Sequence, residues 1–269
     1  MKPVINESNL VVIDQFPLHY DRSDLGYGVP SEIYHKFKSQ KKLRTCLAVL
    51  KEIMSNVGWM PHIENILTAG TYVPRPQRHS SKTSPHAYGN AIDFDSILLK
   101  PNPLSGENGV YTYGNPRLKY GINKEGWPLV VRGRLNARIR TRFACMLYEA
   151  GFTTVITSGY NKLHEDHIHA DTNDKVQLAN NEWVEYGRPP GWEGRDSQVV
   201  HLQEALNAWY NAKLVVDGKN GPKTIAAMHA VYPPKYLKSG GANNPEDYWN
   251  ISFAGLNKVI TVGGFVPFK

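Results

Sequence analysis

The chain has 269 residues, 41% of them hydrophobic, enough for one sizeable core and a smaller second one. It contains no run of about 18 uncharged apolar residues, which excludes a membrane-spanning helix, and Met1-Lys2-Pro3-Val4-Ile5-Asn6-Glu7 lacks the basic-then-apolar layout of a secretory signal. Its 31 Lys and Arg against 24 Asp and Glu leave a net charge of +7, which favours a polyanionic partner without choosing among nucleic acid, lipid headgroups and an anionic cell wall.

In chain order, Ser31 to Asn56 predicts a helix: Ile33, Phe37, Leu43, Leu47, Leu50 and Ile53 form an apolar stripe, Ser31 suits an N-cap and Gly58 a stop. Ile66 to Val73 is β-branched and aromatic enough for a strand, ended by Pro74 and Pro76. Residues 100–128 are rich in Pro, Gly, Asn and Tyr and lack periodicity, which in a compact domain marks a functional rim able to cover a cleft. Leu135 to Ala150 predicts an amphipathic helix closed by Gly151, with Leu135, Ile139, Phe143, Met146, Leu147 and Ala150 on one side. Thr153 to Thr157 reads as a strand, and Ile168 sits in another. The two cysteines, Cys46 and Cys145, fall inside helical apolar patterns without Cys-x-x-Cys spacing and read as buried, inert thiols.

Turn formers from Tyr186 to Gly194 mark a boundary, dividing the chain into a domain at 1–185, a linker at 186–195 and a module at 196–269. In that module Asp196 can cap a helix carrying Val199, Leu202, Leu206 and Trp209. After Val215-Val216-Asp217-Gly218, a second helix runs through Thr224, Ala227, Met228 and Val231. Residues 238–269 carry too little periodicity to assign.

The chemistry concentrates in two segments. In Ser84-Pro85-His86-Ala87-Tyr88-Gly89-Asn90-Ala91-Ile92-Asp93, a histidine and an aspartate stand seven residues apart, a spacing that apolar periodicity does not require. In His164-Glu165-Asp166-His167-Ile168-His169, alternate residues of an extended strand face the same way, so His167 and His169 would point into one site. His86, Asp93 and one of these histidines make two imidazoles and a carboxylate, a donor set that suits zinc with one position left for water. Zinc polarises carbonyls and lowers the pKa of water, while a nearby carboxylate takes the proton. Gly89 lets the backbone turn between the two ligands, and Ala91 leaves room beside them. A lone His-x-His is most often a surface or core pair, and His86 with Asp93 alone is equally weak; it is the combination that carries weight.

Ser84-x-His86-x-x-Gly89-x-Ala91-x-Asp93 followed by Asp166-x-x-His169 resembles the signature of the zinc D-Ala-D-Ala carboxypeptidase group of peptidoglycan peptidases. His164 to His169 is similar to penicillin-insensitive murein endopeptidases and extensin-like C-terminal domains. Thr68 to Arg75 resembles the strand and Tyr-x-x-Arg that precede the first motif in that group. The resemblance implies that His86, Asp93 and His169 bind Zn2+, that Asp166 is the general base, and that His167 supports the ligands or stabilises an oxyanion. Arg75 would hold a substrate carboxylate or carbonyl, with Arg78 as its alternative. His164 either lines the site or is exposed, and Asp95 suits a structural ion pair or cap. Asp166 has the opposite strand parity to His167 and His169, so the strand should begin near His167 with Asp166 in the preceding turn. The implied fold is α+β: a small antiparallel sheet with flanking helices, the metal at its open face, and both His167 and His169 from the central strand.

Asp196 to Asn207 together with Val216 to Thr224 resembles the small all-α peptidoglycan-binding domain, a three-helix bundle. In it the Leu-Gln-x-x-Leu helix and the Asp-Gly-x-x-Gly-x-x-Thr turn form the frame, the glycines give a left-handed turn and Thr224 can cap the following helix. Together the two resemblances imply a zinc peptidase of phage endolysin type that hydrolyses an amide bond in bacterial peptidoglycan. A D,D-endopeptidase acting on cross-links is favoured, and an L-alanyl-D-glutamate endopeptidase comes next. Such a protein would act as a monomer, stay in the host cytoplasm until released to the wall, insert into no membrane and bind no nucleic acid. Arg132, Arg134, Arg138, Arg140 and Arg142 are then a solvated helix face. The alternative is a non-catalytic wall-binding or virion protein with zinc as a staple.

Overall fold

The structure is a computed structural model that describes residues 5, 7–22, 29–30, 37–73, 83–99, 119–121, 134–161, 164, 167–172, 174–186 and 196–231. Arg75, Arg78, Asp166 and the tail from residue 232 lie outside the described residues, as does Ser31.

The elements in chain order begin with β1 (Val11–Val12), β2 (Leu18–Arg22), β3 (Val29–Pro30), β4 (Lys38–Ser39), α1 (Lys41–Asn56) and β5 (Ile63–Gly70). There follow β6 (Ala91–Leu99), β7 (Lys119–Gly121), α2 (Arg134–Glu149), β8 (Thr154–Ile156), β9 (Ile168–Asp171), β10 (Asp174–Gln177) and β11 (Trp183–Tyr186). Two helices, α3 (Ser197–Tyr210) and α4 (Pro222–Val231), complete the set. The architecture is α+β. The main sheet has seven strands in the order β3-β2-β5-β6-β9-β8, with β7 paired to the far half of β6. Its pairings are antiparallel except β2 with β5, which run parallel with Leu18 opposite Ile66. Two small antiparallel ladders, β1-β4 and β10-β11, stand apart from it.

Helix α1 begins at Lys41, not at Ser31. Phe37 continues the apolar stripe, but Lys38 and Ser39 pair with Val12 and Val11, and Gln40 is extended, so the chain is strand where the period suggests helix. Gly58 ends the helix region as expected: it is left-handed, at φ 78, and its N–H donates to the Ser55 carbonyl. The strand expected over Ile66 to Val73 runs instead from Ile63 to Gly70. Lys119–Gly121, inside the segment read as a rim, is a sheet strand.

Helices α1 and α2 cover one face of the sheet. Leu43, Leu47, Leu50 and Met54 of α1 and Ile139, Phe143, Met146 and Leu147 of α2 share a single buried cluster with Ile66, Ile92, Phe94, Ile168 and Ala170. Each fully buried side chain of this size contributes about 1.5–3 kcal/mol. Phe94 meets Phe143 edge to face at 5.1 Å between ring centroids. Because strand side chains alternate, burying Ile92, Phe94, Ile168 and Ala170 under the helices sends Asp93, His169 and Asp171 to the opposite face.

Helix α3 packs on α2. Cys145, at the contact, is buried with Ala205, Leu206 and Met228. Arg138 donates to the Ala208 carbonyl at 3.2 Å and lies over the Trp209 ring, Arg140 faces Glu204, and Arg142 is 3% exposed. The reading of these arginines as a solvated face is therefore corrected for Arg138 and Arg140, which meet the second module, and for Arg142, which is buried, while Arg132 and the Arg134 side chain lie outside what the structure describes. Asp196 caps α3 as expected, accepting from the N–H groups of Gln198 and Val199. Thr224 does not cap α4, which starts two residues earlier at Pro222. Its hydroxyl instead accepts from Gln203 Nε2 at 3.0 Å, while Gln203 Oε1 accepts from the N–H groups of Asp217 and Gly218. The glutamine is thus the post on which the Asp-Gly turn is hung, with Gly218 left-handed at φ 69. Cys46 and Cys145 are buried thiols outside any disulfide, and burial pushes the Cys145 thiol well up, so both fit the inert reading. No helix among the described residues is long and apolar enough to cross a membrane.

Candidate metal centre

The first donor comes from a short 3-10 turn, Pro85–Tyr88, that precedes β6. Ser84 caps it, its Oγ accepting from the His86 N–H at 3.3 Å, and Pro85 fits the first position because the missing N–H has no partner to lose. Gly89 closes the turn in the left-handed region at φ 71. The conformation favours glycine, and a Cβ there would stand 2.7 Å from Leu10 Cδ2 and would have to displace that side chain. The imidazole of His86 is fixed by Nδ1, 3.0 Å from the Thr71 carbonyl.

The other two donors are cross-strand partners. Asp93 on β6 sits directly opposite His169 on β9, on the face turned away from the helices. His169 Nδ1 is 2.9 Å from Asp93 Oδ1, His86 Nε2 is 3.2 Å from the same oxygen, and the two ring nitrogens are 3.3 Å apart. A tetrahedral ion bound at about 2.0–2.2 Å sets its ligand atoms about 3.3–3.6 Å apart, so the triangle is close to what one ion needs. His86 is buried and His169 is 3% exposed.

The hydrogen bonds behind the rings decide what faces the centre. A carbonyl can only accept, so His86 Nδ1 carries the proton and Nε2 presents a lone pair. His169 Nε2 is 3.2 Å from Asp171 Oδ2, which places its proton there and turns a lone pair at Nδ1 toward Asp93. Two lone pairs and a carboxylate oxygen then converge on one point, a set that a cation satisfies. Where the rings are protonated instead, burial pushes the Asp93 carboxyl up, but the charge of His86, the hydrogen bonds that His169 and His86 donate and the charge of His167 outweigh it and hold the group well below the usual carboxylate range. His86, Asp93 and His169 form a group able to hold a metal ion.

His167 stands at the start of β9 with Nε2 3.6 Å from Asp93 Oδ1, on the same side as His169 as its parity requires. His164 is also drawn in: its ring lies 5.0 Å from that of His167 and 5.7 Å from that of His169, and its Nδ1 is 2.6 Å from Asn161 Oδ1. Two further participants escaped the sequence reading. Asp171 orients His169, and the signal was present in the parity of His169-x-Asp171. The Thr71 carbonyl orients His86, and a backbone acceptor leaves no mark in sequence.

No protein-family model, curated protein or solved structure matches the chain with significance.

Proposed function

We propose that this chain is a zinc-dependent peptidase of endolysin type that hydrolyses an amide bond in bacterial peptidoglycan. The observation that carries the reading is the convergence of His86 Nε2, His169 Nδ1 and Asp93 Oδ1, with both ring protons held elsewhere. Three protein donors of this kind are the pattern of a catalytic rather than a structural zinc site, which usually takes four. The ion would supply Lewis acidity, polarising a scissile carbonyl and lowering the pKa of water.

In this reading the chain's own groups do the rest. Asp166, three residues before His169, accepts the proton of the attacking water and passes it to the leaving amine. His167, beside Asp93, donates to the oxyanion that develops on the substrate carbonyl. Arg75 holds a substrate carboxylate. A D,D-linked cross-link is the favoured substrate, with L-alanyl-D-glutamate next; the +7 charge draws a monomeric chain to the polyanionic wall, and residues 196–269 bind there.

The deciding experiment is mass spectrometry of muropeptides released from purified sacculi, run alongside metal analysis. The expected result is about one bound zinc per chain and one new amine terminus type, with Asp166→Ala keeping zinc but releasing almost nothing. Zinc loss in Asp166→Ala would make that residue a ligand, and sacculi left intact by the zinc-loaded wild type would refute the reading.

A further inference from the structure

The buried carboxylate of Glu204 lies at the contact between α3 and the turn that follows β8, and it is 7% exposed. Both of its oxygens are engaged there. Thr157 Oγ1 donates to Oε2 at 2.5 Å, the Gly159 N–H donates to Oε1 at 3.1 Å, and Arg140 lies 3.5 Å from Oε1. Desolvating a carboxylate is costly, and an apolar residue would pack α3 on α2 without that cost. What the carboxylate adds is a fixed position for one particular stretch of backbone.

That stretch leads to the metal centre from both ends. Before it, Ile156 is the register partner of His169. After it, Asn161 Oδ1 accepts from His164 Nδ1, and the His164 ring lies beside those of His167 and His169. The turn also fits α3 closely: a Cβ on Gly159 would stand 2.7 Å from Glu204 Oε1 and 2.9 Å from Val216 Cγ1. Ile156 and Tyr160 share a buried cluster with Val200, and Val216 packs against it. The contacts of Thr157 and Gly159 with Glu204, and of Ile156 and Tyr160 with Val200 and Val216, come from the second module.

We infer that Glu204 is a positioning residue for the metal centre: through Thr157 and Gly159 it holds the turn at 157–161 that sets His164, and through it His167, beside the metal ligands. The inference rests on the hydrolytic reading of that centre for its kinetic consequence, but not for its structural one. The second module is on this account part of the site's support, in addition to any wall-binding role.

The test uses the full-length, zinc-loaded chain and three variants, Glu204→Ala, Glu204→Gln and Thr157→Val, followed by imidazole NMR signals, zinc content and steady-state kinetics on sacculi. Glu204→Ala is expected to keep its zinc, because the ligands come from β6, β9 and the turn before β6, while the His164 and His167 signals shift or broaden. The kcat should fall on the order of tenfold, with KM within about twofold of wild type. Glu204→Gln, whose amide oxygen can still accept from Gly159, should restore most of both readouts. If Glu204→Ala does not fold, Thr157→Val is read the same way. A folded variant with wild-type imidazole signals would overturn the inference. If the wild type cuts no sacculi, the hydrolase reading falls, and the imidazole signals still decide the positioning role.

Discussion

His86 Nε2 and His169 Nδ1 lie 3.3 Å apart, and the opposite nitrogen of each ring is already committed to an acceptor, Thr71 O and Asp171 Oδ2. Neither neutral ring has a proton to offer the other, so a cation between them and Asp93 would satisfy both lone pairs. A proton is the competing occupant, since His169 as imidazolium could donate to both Asp93 and Asp171. Metal binding should therefore release a proton and weaken as pH falls. Zinc added to the chelator-stripped chain at about 100 times its Kd should stabilise the fold by about 2.7 kcal/mol. In His86→Ala or Asp93→Ala that thermal shift should vanish together with activity; full activity in either variant would contradict the ligand assignment.

Asp171 would act on a bound metal through His169, whose Nε2 lies 3.2 Å from its Oδ2. It fixes the tautomer and strengthens the ring as a donor, so Asp171→Asn should lower zinc affinity by about 10–100-fold without abolishing binding. The amide can present its NH2 group to His169 Nε2 and so favour the wrong tautomer. Competition against a chelator of known affinity measures this, and an unchanged Kd would remove Asp171 from the site.

Two left-handed glycines separate strain from space. Gly58, at φ 78, has nothing within 4 Å of an added Cβ, so Gly58→Ala should cost only the conformational penalty of about 1–2 kcal/mol. Gly89 has a similar φ of 71 but would drive a Cβ to 2.7 Å from Leu10 Cδ2 and 3.4 Å from the Gln40 nitrogen. Gly89→Ala should therefore cost more, about 2–4 kcal/mol, and also loosen the metal, because the turn sets the spacing of His86 from Asp93. Urea denaturation of both variants compares them directly, and equal losses would mean that the Leu10 contact gives way freely.

The candidate triad was legible in part: the Ser84, Pro85 and Gly89 positions write out a capped turn in residue types, and strand parity sets His167 and His169 on one side, while the choice of His169 came from the resemblance, because the pairing that brings it opposite Asp93 is remote in sequence. Asp171 was equally legible by parity and was passed over for lack of a second motif. The start of the first helix was misplaced because Phe37 keeps the apolar period, while its carbonyl accepts from the Ile13 N–H and the next two residues pair with Val12 and Val11, which are remote in sequence. The arginines of α2 were misread for a related reason. A polar stripe looks the same whether water or another helix covers it, and Glu204, Ala208 and Trp209 come from 64 to 71 residues further along. Short strands such as β2 and the β10-β11 hairpin mix polar and apolar residues, so their pairing is visible only in three dimensions.

The contact between α2 and α3 also predicts how the fold responds to acid. His201 lies buried against Cys145, its Nε2 3.0 Å from the sulfur, and burial first and the charge of Arg140 second push its pKa down to about 3. In the unfolded chain the same imidazole titrates at its ordinary value near 6.5. Between these values the unfolded state binds the extra proton, so stability rises with pH. The contribution is complete above about pH 6.5 and is lost as pH falls toward 3, at up to about 1.4 kcal/mol per unit. His201→Gln removes the titration, so the slope of unfolding free energy against pH between about 6 and 4 should flatten by that amount. Denaturation of the metal-free chain isolates this effect from proton competition at the metal centre. Equal slopes in wild type and variant would mean that His201 is protonated in the folded state or that the interface opens before the fold is lost.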